Sequence, residues 1–170
     1  MQSDRENIFA LVRNGAGFPQ LNKVVVERVQ QWFLEAGRAA LPNMMAQAGA
    51  GPERASEVLV IGVQLVWLNG ELGRFEEAKQ VGADCAEFAA RASAEATSGY
   101  AKCVGEIGSV HVDQGDYPRA LEHYQRALAK YEAAGAGETP DAATCLMSIG
   151  SVHFKQGDFP RALEHYQRAL

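Results

Sequence analysis

The chain has 170 residues, of which 47% are hydrophobic and 22% charged, and its formal net charge at pH 7 is −5. This composition is typical of a soluble globular protein with enough residues for a sizeable core. The negative charge gives no reason to expect binding to nucleic acid or to anionic membranes. The three cysteines, Cys85, Cys103 and Cys145, include no CxxC pair, so we expect free thiols in a reducing, cytoplasmic compartment.

No signal peptide or transmembrane helix is predicted. The N-terminal stretch MQSDRENIFALVRNG carries charges where a signal peptide needs an apolar run. The longest apolar stretch, Val58–Leu68, is interrupted by Gln64 and is too short to span a bilayer.

Residues 1–58 are predicted to form N-terminal helices. Ser3–Glu6 has the pattern of a capping box, and a broad apolar face indicates a helix over Gln20–Gly37. A weaker helix follows and is expected to be interrupted at Pro42. This region is either a degenerate copy of the repeats that follow it or a cap on them.

The rest of the chain repeats with a period of 42 residues. Ile107–Leu128 and Ile149–Leu170 are identical at nineteen of 22 positions, and Gly73–Ala78 lies in the same register as the turn in each copy. Repetition at such a period is typical of solenoids. We therefore expect three units within residues 59–170, namely 59–100, 101–142 and a terminal or incomplete 143–170.

Each unit is predicted to be a pair of helices. In the second unit a Gly115 break separates two stretches of helical periodicity. Asp116 is expected to cap the second helix, with Pro118 in its first turn, and Gly135 is a plausible stop. Thr139 and Asp158 are further predicted N-caps. Glu122–Arg126 and Glu164–Arg168 have the spacing of favourable ion pairs.

The second and third units resemble tetratricopeptide repeats. The motif residues are Ile107-Gly108 followed by His111 in the first helix, the turn glycine Gly115, and the alternation of small and large residues in the second helix. That alternation is Ala120, Tyr124 and Ala127, whereas the first unit has Gly82 at the aromatic position. The resemblance implies an all-α fold, a right-handed α-solenoid of antiparallel helical hairpins. The 42-residue period resembles the kinesin-light-chain type.

In that family the concave face is lined by the first helix of each hairpin and binds segments of partner proteins. The resemblance therefore implies a non-enzymatic interaction scaffold for a protein or peptide. Carried over by register, the residues expected to line the concave face are Val63, Trp67, Glu71, Lys102, Ser109, Val112, Asp113, Met147, Ser151, Phe154 and Lys155. The two near-identical copies differ at Val112/Phe154 and Asp113/Lys155, which suggests partner specificity at these positions.

Other functions lack a supporting motif. His111, His123, His153 and His165 do not have the spacing of a zinc site, so we expect packed imidazoles at His111 and His153 and largely solvated ones at His123 and His165. No cysteine has a histidine partner in register, and the Gly-Ala stretches lack a Walker lysine. We therefore expect no metal, no cofactor and no catalysis.

A structural role is the alternative. Leu170 falls in a stretch of core positions with no polar capping helix after it. We expect the last hairpin to present an uncovered apolar edge, which favours either self-association or a place in a longer array of a signalling or regulatory protein.

Overall fold

The computed structural model describes residues 23–47 and 52–170, and the regular elements within these ranges are all α-helices. Residues 23–27 and 52–53 are described by their backbone alone. The capping box expected at Ser3–Glu6 lies outside the described residues. The helices are α1 (Lys23–Gln47), α2 (Pro52–Glu71), α3 (Phe75–Arg91), α4 (Ser98–Asp113), α5 (Tyr117–Ala133), α6 (Pro140–Lys155) and α7 (Phe159–Arg168).

α1 contains the division between two compact units of the chain, which falls after Ala40. The interruption predicted at Pro42 is wrong, because α1 runs through it without a break. Proline removes one backbone hydrogen bond from a helix and crowds the preceding turn, and here the helix continues on both sides of that lost bond.

The second unit, Leu41–Leu170, contains three helical hairpins: α2–α3, α4–α5 and α6–α7. The helices of each hairpin are joined by three residues, a length that makes neighbours antiparallel. α4 also packs against α2 and α6, the first helices of the hairpins on either side. The first hairpin begins at Pro52, so the expected boundary between residues 58 and 59 lies inside α2.

The predicted helix caps are confirmed. The Asp116 carboxylate accepts a hydrogen bond from the Arg119 backbone N–H at 3.3 Å, and Asp158 accepts one from Arg161 at 3.2 Å. Thr139 caps α6 in the same way through the backbone N–H of Ala142. These side chains satisfy backbone donors that have no partner inside the helix, so each helix start follows from its local sequence.

The predicted ion pairs Glu122–Arg126 and Glu164–Arg168 do not form in the described structure. Arginines earlier in the helices pair with the capping aspartates instead, Arg119 with Asp116 at 3.2 Å and Arg161 with Asp158 at 3.3 Å. Exposed ion pairs differ little in free energy. The absence of the two predicted pairs therefore costs the helices little.

The second and third hairpins share a hydrophobic core. Ala120 and Tyr124 of α5 pack with Ile149 and Val152 of α6. Four partly buried side chains pack around this cluster: Val112, Tyr117, Leu121 and Leu128. α6 therefore covers the outer face of the preceding hairpin, which is the contact that propagates a solenoid.

Candidate protein-interaction surfaces

α2 contributes two accessible side chains to the expected concave face. Trp67 is half-buried and Glu71, one turn further along the helix, is exposed. Val63 is only 2% exposed, because its side chain points into the core of the unit. It therefore cannot contact a partner in this structure and is not part of the accessible surface.

Charged residues at both ends of α4 connect it to α6. The Lys102 ammonium donates a hydrogen bond to the Asp141 carboxylate at 3.1 Å. Loss of solvent raises the pKa of the Asp113 carboxyl, and the positive charge of Lys155 on α6 opposes that rise. The charge reversal between Asp113 and Lys155 therefore has an internal explanation: in adjacent copies the two opposite charges attract each other.

The serines expected to line the concave face are engaged with the second helix of their own hairpins. The hydroxyls of Ser109 and Tyr124 are hydrogen-bonded at 3.1 Å, and those of Ser151 and Tyr166 at 3.2 Å. Burial raises the pKa of Tyr124, and the hydroxyls of Ser109 and of Ser148 on α6 oppose that rise.

Met147 and Phe154 are exposed on α6, although register assigns them to the same face as Trp67 and Lys102. These side chains extend toward the outer side of the last hairpin, where the Phe154 ring meets the Phe159 ring of α7 edge to face at 5.3 Å. We call the patch formed by Met147, Phe154, Phe159 and Leu163 the open face. Their exposed fractions are 53%, 57%, 59% and 57%, and no described helix covers them.

Each open-face residue has a counterpart 42 positions earlier. Those counterparts are Gly105, Val112, Tyr117 and Leu121. A Cβ on Gly105 would lie 3.5 Å from the Cys145 sulfur of α6, and the other three pack around the core cluster that α6 completes. The same positions are therefore covered by a helix in one hairpin and exposed in the next.

The histidines form two stacked pairs. The His111 and His123 ring centroids are 5.2 Å apart, and those of His153 and His165 are 5.5 Å apart. The expected solvation of His123 and His165 is therefore wrong, since both are half-buried beside a second imidazole. Burial lowers the pKa of His111, His123 and His165.

Metal-binding and thiol chemistry are not favoured in the part of the chain that the structure describes. No group of three or more His, Cys, Asp or Glu side chains there could hold a metal ion. The three cysteines are free and buried. Burial, followed by the negative charge of Asp141, raises the pKa of the Cys145 thiol to about 12, which suppresses the reactive thiolate.

The family model of the tetratricopeptide repeat matches residues 102–170. Residues 102–170 are tetratricopeptide repeats. The structure of the whole chain resembles the crystal structure of BtubC (BKLC) from P. vanneervenii, with a TM-score of 0.67 and 18% sequence identity. That match covers 99% of this chain and 64% of BtubC, so the chain spans less than two thirds of that protein and shares its fold. No curated protein sequence is significantly similar to this one.

The repeats confirm the predicted fold class, an α-solenoid built from helical hairpins. Tetratricopeptide repeats generally mediate contacts between proteins and generally act as non-catalytic scaffolds. Among the described helices, none is long and apolar enough to cross a membrane.

Proposed function

We propose that the chain is a non-enzymatic protein-binding module whose open face binds an amphipathic α-helix. The observation that carries the proposal is the exposure of Met147, Phe154, Phe159 and Leu163, with the rings of Phe154 and Phe159 in contact. Exposed apolar patches on soluble proteins mark interaction sites more often than chance. Aromatic and methionine side chains are also enriched at the centres of protein interfaces.

The repeat itself indicates the chemistry of the bound helix. One hairpin earlier, the corresponding face is covered by α6, which places Ile149 and Val152 against it. We therefore expect the bound helix to present two aliphatic side chains three residues apart on one face. Such a helix can belong to a partner protein, to a second copy of this chain or to a further repeat of a longer protein.

A synthetic peptide with the sequence of α6, residues 140–155, is the sharpest available probe. An isolated helix of this length is marginal in water, so its folding on binding weakens the affinity. We expect saturable binding to the full chain by isothermal titration calorimetry, with the peptide gaining helical circular dichroism.

Two variants test where the peptide binds. Leu163→Glu places a charge in the middle of the open face and should weaken binding by at least tenfold, whereas Trp67→Ala, on the first hairpin, should leave it unchanged. A peptide with Ile149→Asp and Val152→Asp should not bind. The proposal fails if this altered peptide binds as well as the original or if Leu163→Glu has no effect.

The concave face is a second candidate surface, for an extended peptide. The observation that favours it is the half-buried Trp67, which lies beside the exposed Glu71 on α2 and offers a flat apolar contact next to a charge. The accessible residues proposed to line it are Trp67, Glu71, Lys102, Ser109, Asp113, Ser151 and Lys155, whereas Val112 packs against the core cluster that α6 completes.

A peptide library selected on the full chain separates the two surfaces. Peptides that bind the concave face should lose affinity in the Trp67→Ala variant and retain it in Leu163→Glu. The reverse pattern would assign the selected peptides to the open face and would remove the support for the concave face.

Self-association through the open face is the structural form of the same proposal. Sedimentation velocity of the full chain should then show an oligomer that Leu163→Glu dissociates. If the chain is a monomer at high concentration, the helix that binds the open face does not come from a second copy of the chain. We further propose a reducing intracellular location, in keeping with the three buried free thiols. We also propose that the repeats are of the kinesin-light-chain type, in keeping with their 42-residue period.

A further inference from the structure

A cavity of about 310 Å³ lies between the first and second hairpins, bounded by α3, α4 and α5. Its volume is at the lower end of the range of small-molecule sites, roughly 300–1,000 Å³. The cavity is separate from both the open face and the accessible residues of the concave face, so the proposed protein-binding function makes no use of it.

The cavity arises where the first unit departs from the repeat pattern. Gly82, Ala86 and Lys79 of α3 line it, and the residues 42 positions later are Tyr124, Leu128 and Leu121. Between the second and third hairpins these larger side chains fill the corresponding space and pack around the core cluster. The Ile107 side chain lies against Gly82, because a Cβ added to Gly82 would clash with it. Ile107 does not close the cavity.

The lining combines an apolar body with a basic rim. Val104, Ile107 and Ala86 supply apolar walls, and the lining includes two basic residues, Lys79 and Arg126, but no acidic one. Lys79 is already paired with Glu76 at 2.8 Å. Arg126 has no hydrogen bond or ion pair with any described residue, so its guanidinium is available to a ligand.

A buried polar atom without a partner lies in the same wall. His111 lines the cavity and is only 6% exposed, and no described group is hydrogen-bonded to its Nδ1. Its neighbour His123 contacts it by ring stacking, which does not satisfy that nitrogen. A buried polar atom without a hydrogen bond is costly, and a polar ligand atom that reached Nδ1 would remove that cost.

We propose that this cavity binds a small amphipathic anion, an aromatic or aliphatic group carrying one carboxylate. The planar fork of the Arg126 guanidinium matches a carboxylate with two parallel hydrogen bonds. The apolar part of the ligand fills the space that Tyr124 and Leu128 fill one hairpin later, and the His111 imidazole donates to or accepts from a polar atom of the ligand.

Titration of the full chain with 3-phenylpropionate, followed by NMR, tests the proposal. We expect saturable shifts at residues of α3, α4 and α5 at millimolar ligand. The neutral 3-phenylpropionamide should bind at least tenfold more weakly, and acetate, which lacks the apolar group, should give no saturable shifts. Equal binding of the acid and the amide, or absence of saturable binding by the acid, overturns the proposal.

Three variants locate the site. Arg126→Gln should weaken binding of the acid about tenfold, whereas Arg168→Gln, at the matched position 42 residues later, should leave it unchanged. Ala86→Leu introduces the residue found at position 128 and should abolish binding by filling the cavity. If Ala86→Leu binds the acid as well as the unaltered chain does, the ligand lies elsewhere. The α6 peptide should bind all three variants normally, so failure of this proposal is distinguishable from failure of the proposed protein-binding function.

Discussion

Gly108 of α4 lies directly against the Tyr124 ring of α5: a Cβ on Gly108 would be 2.9 Å from two ring carbons. Gly150 and Tyr166 repeat this relationship in the last hairpin, where the corresponding distance to Cε1 is 2.7 Å. The missing side chain in the first helix thus leaves room for the large one in the second. In the first hairpin the pair is reversed in size, with Val66 and Gly82 at these positions.

Gly108→Ala should destabilise the protein. The added methyl must displace a buried ring that is also hydrogen-bonded to Ser109, at a cost of roughly 1–3 kcal/mol. The part of that cost above the gain of about 1 kcal/mol from replacing glycine inside a helix is the expected destabilisation. We expect a lower free energy of unfolding in urea.

Gly105→Ala is the matched control in the same helix. A Cβ there would meet the Cys145 sulfur at 3.5 Å and the Ala127 Cβ at 3.7 Å, both ordinary contacts. This variant should be more stable by up to about 1 kcal/mol. If both variants change stability in the same direction, close packing of Gly108 against Tyr124 is not what selects glycine.

Ser93→Gly should stabilise the protein by roughly 0.5–1 kcal/mol. Ser93 follows the C-terminus of α3 with φ of 53°, a left-handed conformation that is unfavourable for a residue with a side chain. The residue 42 positions later, Gly135, has φ of 67°, so glycine suits this turn. The converse substitution, Gly135→Ser, should cost a similar amount in thermal or urea unfolding.

Stability should fall as the pH drops below about 6.5, the ordinary histidine pKa. Burial lowers the pKa of His111, His123 and His165 in the folded state, so the unfolded chain binds more protons in this range and acid favours unfolding. The negative charge of Asp116 raises the pKa of His111, whereas the positive charges of Lys79 and Arg119 lower it further. Urea unfolding at pH 7.5 and pH 5.5 should show the loss. Equal or greater stability at pH 5.5 would contradict the lowered histidine pKa values of the folded state.

Thiol labelling reports on the packing between hairpins. Cys145 is buried and its pKa is raised to about 12, so iodoacetamide at pH 8 should modify it slowly in the native protein and rapidly in urea. Leu163→Cys adds a thiol to the open face that should react quickly and be protected by the α6 peptide. Rapid native labelling of Cys145 would show that α6 does not pack stably on the preceding hairpin.

The fold was predictable because its determinants are local and repeated. Caps such as Asp116 and Thr139 and the stop at Gly135 are readable from a few neighbouring residues, and Asp116 recurs as Asp158 in the second of the two near-identical copies. The continuity of α1 through Pro42 was not predictable, because the presence of a proline does not decide whether the surrounding helix tolerates it.

Which side chains are exposed depends on which hairpin packs over which. Register alone assigns Met147 and Phe154 to the same face as Trp67, yet their counterparts Gly105 and Val112 are buried or partly buried beneath α6. Gly82 stands out in the sequence as a departure from the repeat. Whether its neighbours collapse into the space or leave a cavity is decided by packing between three helices.

The most direct test of the open face as a helix-binding surface is paramagnetic relaxation from a spin-labelled α6 peptide. The label is placed at the C-terminus of the peptide, close to Val152, and the full chain is observed by NMR with isotopically labelled leucine methyls and tryptophan indoles. We predict strong broadening of the Leu163 methyl signals and none of the Trp67 indole signal. Broadening at Trp67 without change at Leu163 would contradict the proposal.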